Sequence, residues 1–247
     1  MSTTVEHIEH HRPEKTKEAL DKKNKNIWLI IGSFLLDMLP VIFGILIAIS
    51  INGWREKNKE HKLEKFYLRN IKSSAAEEMK RLGSEKDVFT EIKKAQTYIL
   101  RNTRDIEKFN WQELYPHINV FLSDFSSSIK NTAFIAMQNT GNLNIISNKK
   151  ILEQLISLYE KKIPFMEHSI ELYMNFKRQE LIPLMNKTYS VAMLDSNQTK
   201  KQMRQLLTSL EYQNIMREIP IEEIIQLYNE TIEMYKELDT ELGNELS

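Results

Sequence analysis

The sequence predicts an all-α protein with one membrane-spanning helix near its N-terminus, a long amphipathic helix after it and a helical-bundle domain. The first observation is an apolar segment, Ile27 to Ile51, that contains a single ionisable residue, Asp37. The second is that 247 residues include only six glycines and six prolines, which leaves few turn residues for hairpins. The third is that apolar residues after this segment recur at steps of three and four, as on one face of a helix.

The segment from Ile27 to Ile51 is long enough to cross a bilayer. At roughly 1.5 Å per residue, its length exceeds the ~30 Å hydrocarbon core. It is longer than the apolar region of a secretory signal peptide and does not end in a small-residue cleavage site, so a retained anchor is favoured over a cleaved signal. A buried helix of a soluble core is disfavoured, because the remaining chain is too polar to cover every face of such a rod.

Changes in composition divide the chain into four predicted segments. Residues 1–26 form a polar tail that we expect to be flexible, and residues 27–51 form the transmembrane helix. Residues 52–108 form a long juxtamembrane helical region, and residues 109–247 form a helical extramembrane domain.

An amphipathic helix is predicted directly after the span. Its apolar stripe contains Leu63, Phe66, Tyr67, Ile71, Ala75, Met79 and Leu82, and continues with Phe89, Ile92, Gln96 and Ile99. Gly83 interrupts this stripe at a cost of about 1 kcal/mol relative to alanine. We favour a continuous helix over a turn at Gly83. The stripe must then be covered by the C-terminal helices or by another copy of the chain.

Turn residues mark the next elements. The stretch from Phe109 to Ser128 is predicted to be a loop region, because it contains Pro116 and ends in three consecutive serines that are suited to cap a helix. A short helix should follow to about Asn139. Gly141 is well placed as the residue that ends this helix in the left-handed conformation.

The C-terminal part is predicted to be a series of helices. Ser147 or Asn148 is the candidate N-cap of the next helix. Pro164 and Pro183 should kink or divide that helical run, because each removes a backbone donor. Two further helices are expected, the last beginning at Pro220 as its first helical residue.

Charge is balanced overall, with 34 Lys and Arg against 34 Asp and Glu, so no global field indicates nucleic acid as a partner. The balance is not local. Residues 52–101 carry 13 basic and 8 acidic side chains, whereas residues 220–247 carry eight acids and the single base Lys236. These complementary segments either pack together or form two solvated helix faces. The chain contains no cysteine, which excludes disulfides, thiolate metal sites and cysteine nucleophiles.

A candidate helix-association face lies within the span. Its residues follow one another at steps of three or four and are Ser33, Asp37, Pro40, Gly44, Ala48 and Asn52. Gly44 and Ala48 form a small-xxx-small pair that lets helices approach closely in lipid. A charged carboxylate at Asp37 would cost ~2.5–3.5 kcal/mol, so we expect it to be protonated or paired with a partner, either a second copy or another membrane protein. The alternative is that one acid is tolerated in a very apolar anchor.

Two stretches resemble a bacterial family of single-span membrane proteins of unknown function. The segment Asp37 to Trp54 resembles the family signature, which is close to Gly-Glu-Ile-x-Leu-x-x-x-Gly-Ile-Leu-Ile-Ala-Leu-x-Ile-Asn-x-Trp. Asp37 lies where the family usually has Glu, and Leu36 replaces the Gly that precedes it. The segment Asn139 to Ile146, followed by Leu152 to Tyr159, resembles the second motif of the family. The resemblance implies a membrane anchor and a helical extramembrane domain, and it brings no known reaction.

Trp54 and Arg55 follow the apolar run and are predicted to lie at the membrane interface, where indole rings act as anchors. Six Lys and Arg residues lie within about 15 residues of the span on each side, so the positive-inside rule does not decide the orientation. A short N-terminal tail is commonly retained in the cytoplasm. We therefore expect a single-pass protein of the bacterial inner membrane, with its C-terminal domain in the periplasm.

No residue pattern indicates catalysis, a cofactor or a metal. The sequence has no Gly-rich phosphate loop and no Gly-x-Ser-x-Gly motif. His7, His10 and His11 have helix-compatible spacing, but a mobile tail lacks the surrounding groups that orient metal ligands. We therefore expect a non-enzymatic interaction or scaffold module whose partners are the lipid bilayer and other proteins. The alternatives are an accessory subunit of an ion-coupled or transport complex that uses Asp37, and a membrane-tethered enzyme.

Overall fold

A computed structural model describes residues 14–103, 111–123, 125, 132–188 and 197–247. Side chains are described for residues 34–103, 113–121, 123, 125, 132–187 and 200–247. Every regular element in these ranges is helical, which confirms the predicted all-α class. The chain divides into two units, Met1–Glu60 and His61–Ser247.

Helix α1 runs from Glu14 to Asn102 and is helical through Gly83, as predicted. Of the predicted tail, residues 1–13 lie outside the described part and residues 14–26 belong to α1. The elements that follow are α2 (Trp111–Leu122), α3 (Thr132–Asn139), a 3₁₀ turn (Asn142–Ile145), α4 (Lys149–Ile156), a first π turn (Ser157–Lys162), α5 (Ile163–Phe176), a second π turn (Lys177–Leu181), α6 (Ile182–Thr188), α7 (Asn197–Thr208), α8 (Leu210–Glu218) and α9 (Ile221–Leu246).

The first unit contains the apolar part of α1. Its most apolar window has a mean hydropathy of 2.5, and none of that window is buried. Phe34, Leu36 and Ile49 are each more than 60% exposed, and the other large apolar residues from Leu35 to Ile51 are 41–59% exposed. By length and composition, this helix could therefore cross a membrane.

Within the second unit, the buried residues of α1 follow a seven-residue repeat. They are Glu64, Leu68, Ile71, Ala75, Leu82, Glu85, Phe89, Ile92, Gln96 and Ile99, with Ala95 also buried beside Gln96. Steps of four and three alternate along this series, apart from one step of seven between Ala75 and Leu82, and this spacing lets helices pack side by side at a shallow angle. The predicted stripe is wrong at its start, because Leu63 and Phe66 are 38% and 57% exposed. Glu64 and Leu68 occupy the buried positions there instead.

Helix α9 packs antiparallel along α1. Its buried residues follow the same repeat and are Ile221, Ile224, Tyr228, Thr231, Tyr235, Leu238 and Leu242. Three contacts fix the antiparallel register: Lys72 Nζ to Asp239 Oδ1 at 3.7 Å, Tyr228 Oη to Glu85 Oε2 at 3.0 Å, and Lys93 Nζ to Glu222 Oε2 at 3.5 Å. The basic and acidic segments identified in the sequence therefore pack together.

Helices α4, α5 and α6 form one helical run with the two π turns between them. Each π turn ends two residues before a proline, at Pro164 and at Pro183. A π turn accommodates one extra residue and relieves the clash of a proline ring with the preceding turn. The first π turn also absorbs a five-residue step between the buried residues Leu158 and Ile163. The prolines divide the α-helical segments, as predicted, while the run itself continues.

The predicted loop around Pro116 is wrong. Trp111–Leu122 forms α2, in which Leu114, Ile118 and Phe121 are buried at successive turns. Pro116 lies in the second turn of α2, where it removes a single intrahelical hydrogen bond. The burial of these three side chains stabilises the helix by more than the loss of that hydrogen bond destabilises it. The three serines that follow lie outside the described residues.

The number of C-terminal helices also differs from the prediction. Three helices follow residue 196 instead of two, because Ser209 ends α7 and caps α8 by accepting a hydrogen bond from the Tyr212 N–H. Pro220 is the N-cap residue of α9 instead of its first helical residue.

The turn between α3 and α4 matches its prediction. Gly141 follows α3 with φ of 70°, in the left-handed region. Asn148 caps α4, since its side chain accepts hydrogen bonds from the N–H groups of Lys150 and Ile151.

Candidate functional site

The predicted helix-association face lies on α1 in the first unit. The members whose side chains are described are all exposed, and they are Asp37, Pro40, Gly44, Ala48 and Asn52. Ser33 lies outside the described side chains. A Cβ built on Gly44 has no atom within 4 Å, so the backbone is open to close approach there. Trp54, at the predicted interface, is 67% exposed, and Arg55 is exposed as well. Association through this face stays a prediction.

A buried carboxylate on α1 holds the turn that precedes α4. Glu64 Oε1 accepts hydrogen bonds from the Ser147 N–H at 2.6 Å and the Ser147 hydroxyl at 2.8 Å. Its second oxygen lies 3.4 Å from His61 Nδ1. In a catalytic triad the imidazole stands between the serine and the acid, whereas here the acid contacts both residues. The cluster therefore positions the turn and lacks the order that serine activation needs.

A second polar cluster joins α1 to α9. Arg81 donates to Glu78 at 2.6 Å and to Glu85 at 3.0 Å, and Glu85 also accepts from the buried Tyr228 hydroxyl. Burial lowers the pKa of Arg81, but the hydrogen bond to Glu78 and the charges of both glutamates raise it above its ordinary value overall. Burial raises the pKa of Tyr235, which packs on the same face of α9. Arg81 therefore stays charged and Tyr235 stays neutral near neutral pH, which suits a structural role.

Aromatic rings fill the centre of the second unit. The ring of Phe89 packs against those of Phe125, Tyr173 and Tyr228 at centroid distances of 5.1, 5.7 and 5.6 Å. Burial raises the pKa of Tyr173, so its hydroxyl stays neutral. Lys177, in the second π turn, is fully buried and donates to the Ser123 carbonyl at 2.5 Å. These contacts tie the segment after α2 to the core.

Within the part of the chain that the structure describes, a groove lies between α5 and α9. Its volume is about 320 Å³, and it is lined by Phe165, Ser169, Leu172, Pro220, Glu223, Ile224, Gln226, Leu227 and Glu230. Phe165 and Leu172 are 58% and 55% exposed, although both are large apolar residues. We call this surface the α5–α9 groove.

Two acids contribute to the walls of the α5–α9 groove. Glu230 forms an ion pair with Lys162 and accepts a hydrogen bond from Gln226 at 2.8 Å. The hydrogen bonds from Lys162 and Gln226 lower the pKa of Glu230. Within the described part of the chain, Glu223 has no ion pair and no hydrogen bond to its carboxylate.

None of the residues that the sequence singled out as a site lies in the groove. The signal that could have identified it is the position of Phe165 and Leu172, which lie seven residues apart and off the buried series of α5. In a helix with one buried face, two large apolar residues on the other face are candidates for contact with a partner.

Metal ligation has no support in the described residues, where no group of three or more His, Asp or Glu side chains is arranged to hold an ion. His7, His10 and His11 lie outside those residues.

Comparison of the chain with family models, with curated proteins and with solved structures found no match. The resemblance of the span to the single-span bacterial family stays a prediction.

Proposed function

We propose that the protein is a non-enzymatic interaction module that is tethered to the bacterial inner membrane by one helix. The observation that carries this proposal is the α5–α9 groove, where Phe165 and Leu172 are each more than half exposed. Exposed apolar surface with a polar rim is typical of protein-binding sites, because burying it on association is favourable. The apolar, exposed part of α1 supports the tether.

The span gives the module its second contact surface. We propose that the face with Asp37, Gly44 and Ala48 associates with a second copy or with another membrane protein. Interhelical hydrogen bonds and close backbone approach are the contacts that hold helices together in lipid, and this face offers both. The protein thus combines a membrane contact with a binding groove on a helical unit.

Site-specific photocrosslinking tests whether the groove binds a protein. A photoreactive residue at Phe165 or at Leu172 of the full-length chain should give a discrete adduct in intact cells. The matched control is Leu210, which is 72% exposed and lies outside the groove. Identical adducts from all three positions, or none from the groove positions, would contradict a binding role for this surface.

A reporter fusion tests the proposed orientation. Alkaline phosphatase fused after Ser247 should be active, since the enzyme needs an exported location for its disulfides. An inactive phosphatase fusion together with an active cytoplasmic reporter at the same position would place the helical unit in the cytoplasm. The interaction role would then be sought among cytoplasmic partners.

A further inference from the structure

We propose that the α5–α9 groove binds an amphipathic helix of a partner protein that carries a basic residue beside its apolar face. This inference rests on the proposed interaction function and specifies the chemistry of the partner.

The walls of the groove are two antiparallel helices. Lys150 of α4 pairs with Glu241, and Lys162, the residue before α5, pairs with Glu230, so rising positions along this helical run meet falling positions along α9. The Thr231 hydroxyl lies 3.6 Å from the sulfur of Met166. Because the helices run alongside each other, the groove between them follows their axes. It therefore matches the shape of a third rod-like helix, which packs about 8–10 Å from each neighbour.

The apolar residues of the groove have the spacing that such a helix needs. Phe165 and Leu172 are two turns apart on α5, roughly 10 Å along its axis. Ser169 lies between them and is small, which leaves depth at the centre. On the opposite wall, Ile224 is 1% exposed and forms part of the floor, next to Leu227. A helix with apolar residues at positions i, i+4 and i+7 fills this surface.

The charge of the groove selects a basic partner. Its lining residues include two acids and no Lys or Arg. Glu230 already has Lys162 and Gln226 as partners. Glu223 has no such partner among the described residues and is exposed, so no cationic side chain neutralises its carboxylate, which lies in the first turn of α9. A Lys or Arg on the incoming helix complements it, which favours encounter and sets the orientation.

The same charge disfavours two other occupants. In a two-fold dimer built on this face, two identical grooves would face each other, and the charged lining residues of each are acids, which is unfavourable. An anionic lipid surface would be repelled in the same way. A basic amphipathic helix is free of both penalties.

The test uses two synthetic helical peptides and the full-length protein in phosphatidylcholine nanodiscs. Both peptides carry leucines at i, i+4 and i+7; one has flanking lysines and the other has glutamates at the same positions. Fluorescence anisotropy, with empty nanodiscs as the blank, should show that the lysine peptide binds at least about tenfold more tightly. Leu172→Ala should weaken its binding by about tenfold, because a central apolar contact is lost.

Glu223→Gln should reduce the preference for the lysine peptide while retaining most of the affinity for the apolar face. The matched controls are Leu210→Ala, an exposed leucine elsewhere, and Glu237→Gln, an exposed acid of α9 outside the groove. Both controls should bind the lysine peptide as the parent protein does.

Each other outcome overturns the inference in a recognisable way. Equal binding of both peptides, or binding that Leu172→Ala leaves unchanged, rejects the basic helix in this groove. A concentration-dependent dimer that Leu172→Ala abolishes, seen by sedimentation of the nanodisc-free protein in detergent, identifies a second copy as the occupant. If neither peptide binds but Phe165 still crosslinks to a protein in cells, the partner chemistry is wrong and the proposed interaction function stands.

Discussion

Replacement of glycine by alanine should have opposite effects on stability at two positions, Gly83 and Gly141. A Cβ built on Gly83 or on Gly141 has no atom within 4 Å, so neither alanine meets a steric obstacle. The two sites differ in backbone conformation. Gly83 is helical within α1, whereas Gly141 has φ of 70°. The pair therefore isolates the effect of the backbone from that of packing.

The magnitudes follow from those conformations. Gly83→Ala should stabilise the protein by about 1 kcal/mol, because glycine is that much less favourable than alanine inside a helix. Gly141→Ala should destabilise it by about 1–2 kcal/mol, because a Cβ is strained in the left-handed region. For a chain of this size, about 1 kcal/mol changes Tm by roughly 2–4 °C.

Thermal unfolding of the full-length protein in mild detergent, followed by circular dichroism, measures both changes. Gly141→Asn serves as a control, since asparagine tolerates positive φ better than alanine and should lose less stability. A lower Tm for Gly83→Ala would mean that α1 turns at Gly83. An unchanged Tm for Gly141→Ala would refute the left-handed turn before α4.

Three further predictions concern other contacts. Tyr228→Phe should cost about 1–3 kcal/mol in unfolding free energy, because the Glu85 carboxylate loses a buried donor, and a double-mutant cycle with Glu85→Gln should show coupling in urea titrations. Lys162→Met should raise the pKa of Glu230 in a carboxyl NMR titration. Because the pKa of Glu230 is lowered in the folded protein, the pair stabilises above the unfolded pKa, and this stabilisation should be lost as the pH falls through the folded pKa. Asp37→Leu should weaken association on native detergent gels. Asp37→Asn should preserve association, since the amide keeps hydrogen-bonding capacity. If Asp37→Asn abolishes the activity of the protein while assembly survives, an ion-coupled role is favoured instead.

The sequence predicts the helical class and the capped turn well, because both depend on local signals. Gly141 and Asn148 have the residue types that their backbone positions need. The helix around Pro116 was missed because a proline is a strong local signal, whereas the burial of its neighbours depends on helices that are distant in the chain. The predicted start of the α1 stripe, at Leu63 and Phe66, is wrong for the same reason: which of several adjacent apolar residues is covered depends on the partner helix.

The sequence shows the seven-residue spacing of Phe165 and Leu172, but it does not show that these side chains are exposed. Phe165 and Leu172 are residue types that are usually buried, and their exposure depends on which face of α5 is turned toward the core. That rotation is set partly by the first π turn, which adds one residue to the step between Leu158 and Ile163. Periodicity that assumes a regular helix places every later residue on the wrong face by about one position, or 100°.

The antiparallel packing of α1 and α9 imposes an order on folding during synthesis. The hydrogen bond between Glu85 and Tyr228 joins residues 143 positions apart, so the interface between α1 and α9 cannot form until α9 has been synthesised. Until then the apolar stripe of α1 has no cover from α9, and closing so long a loop is slow compared with forming local helices. If the first helix holds the nascent chain in the membrane, as we propose, the chain spends this interval tethered and incompletely folded. That interval is when a chaperone would be most needed and when misassembly with a neighbouring chain would be most favoured.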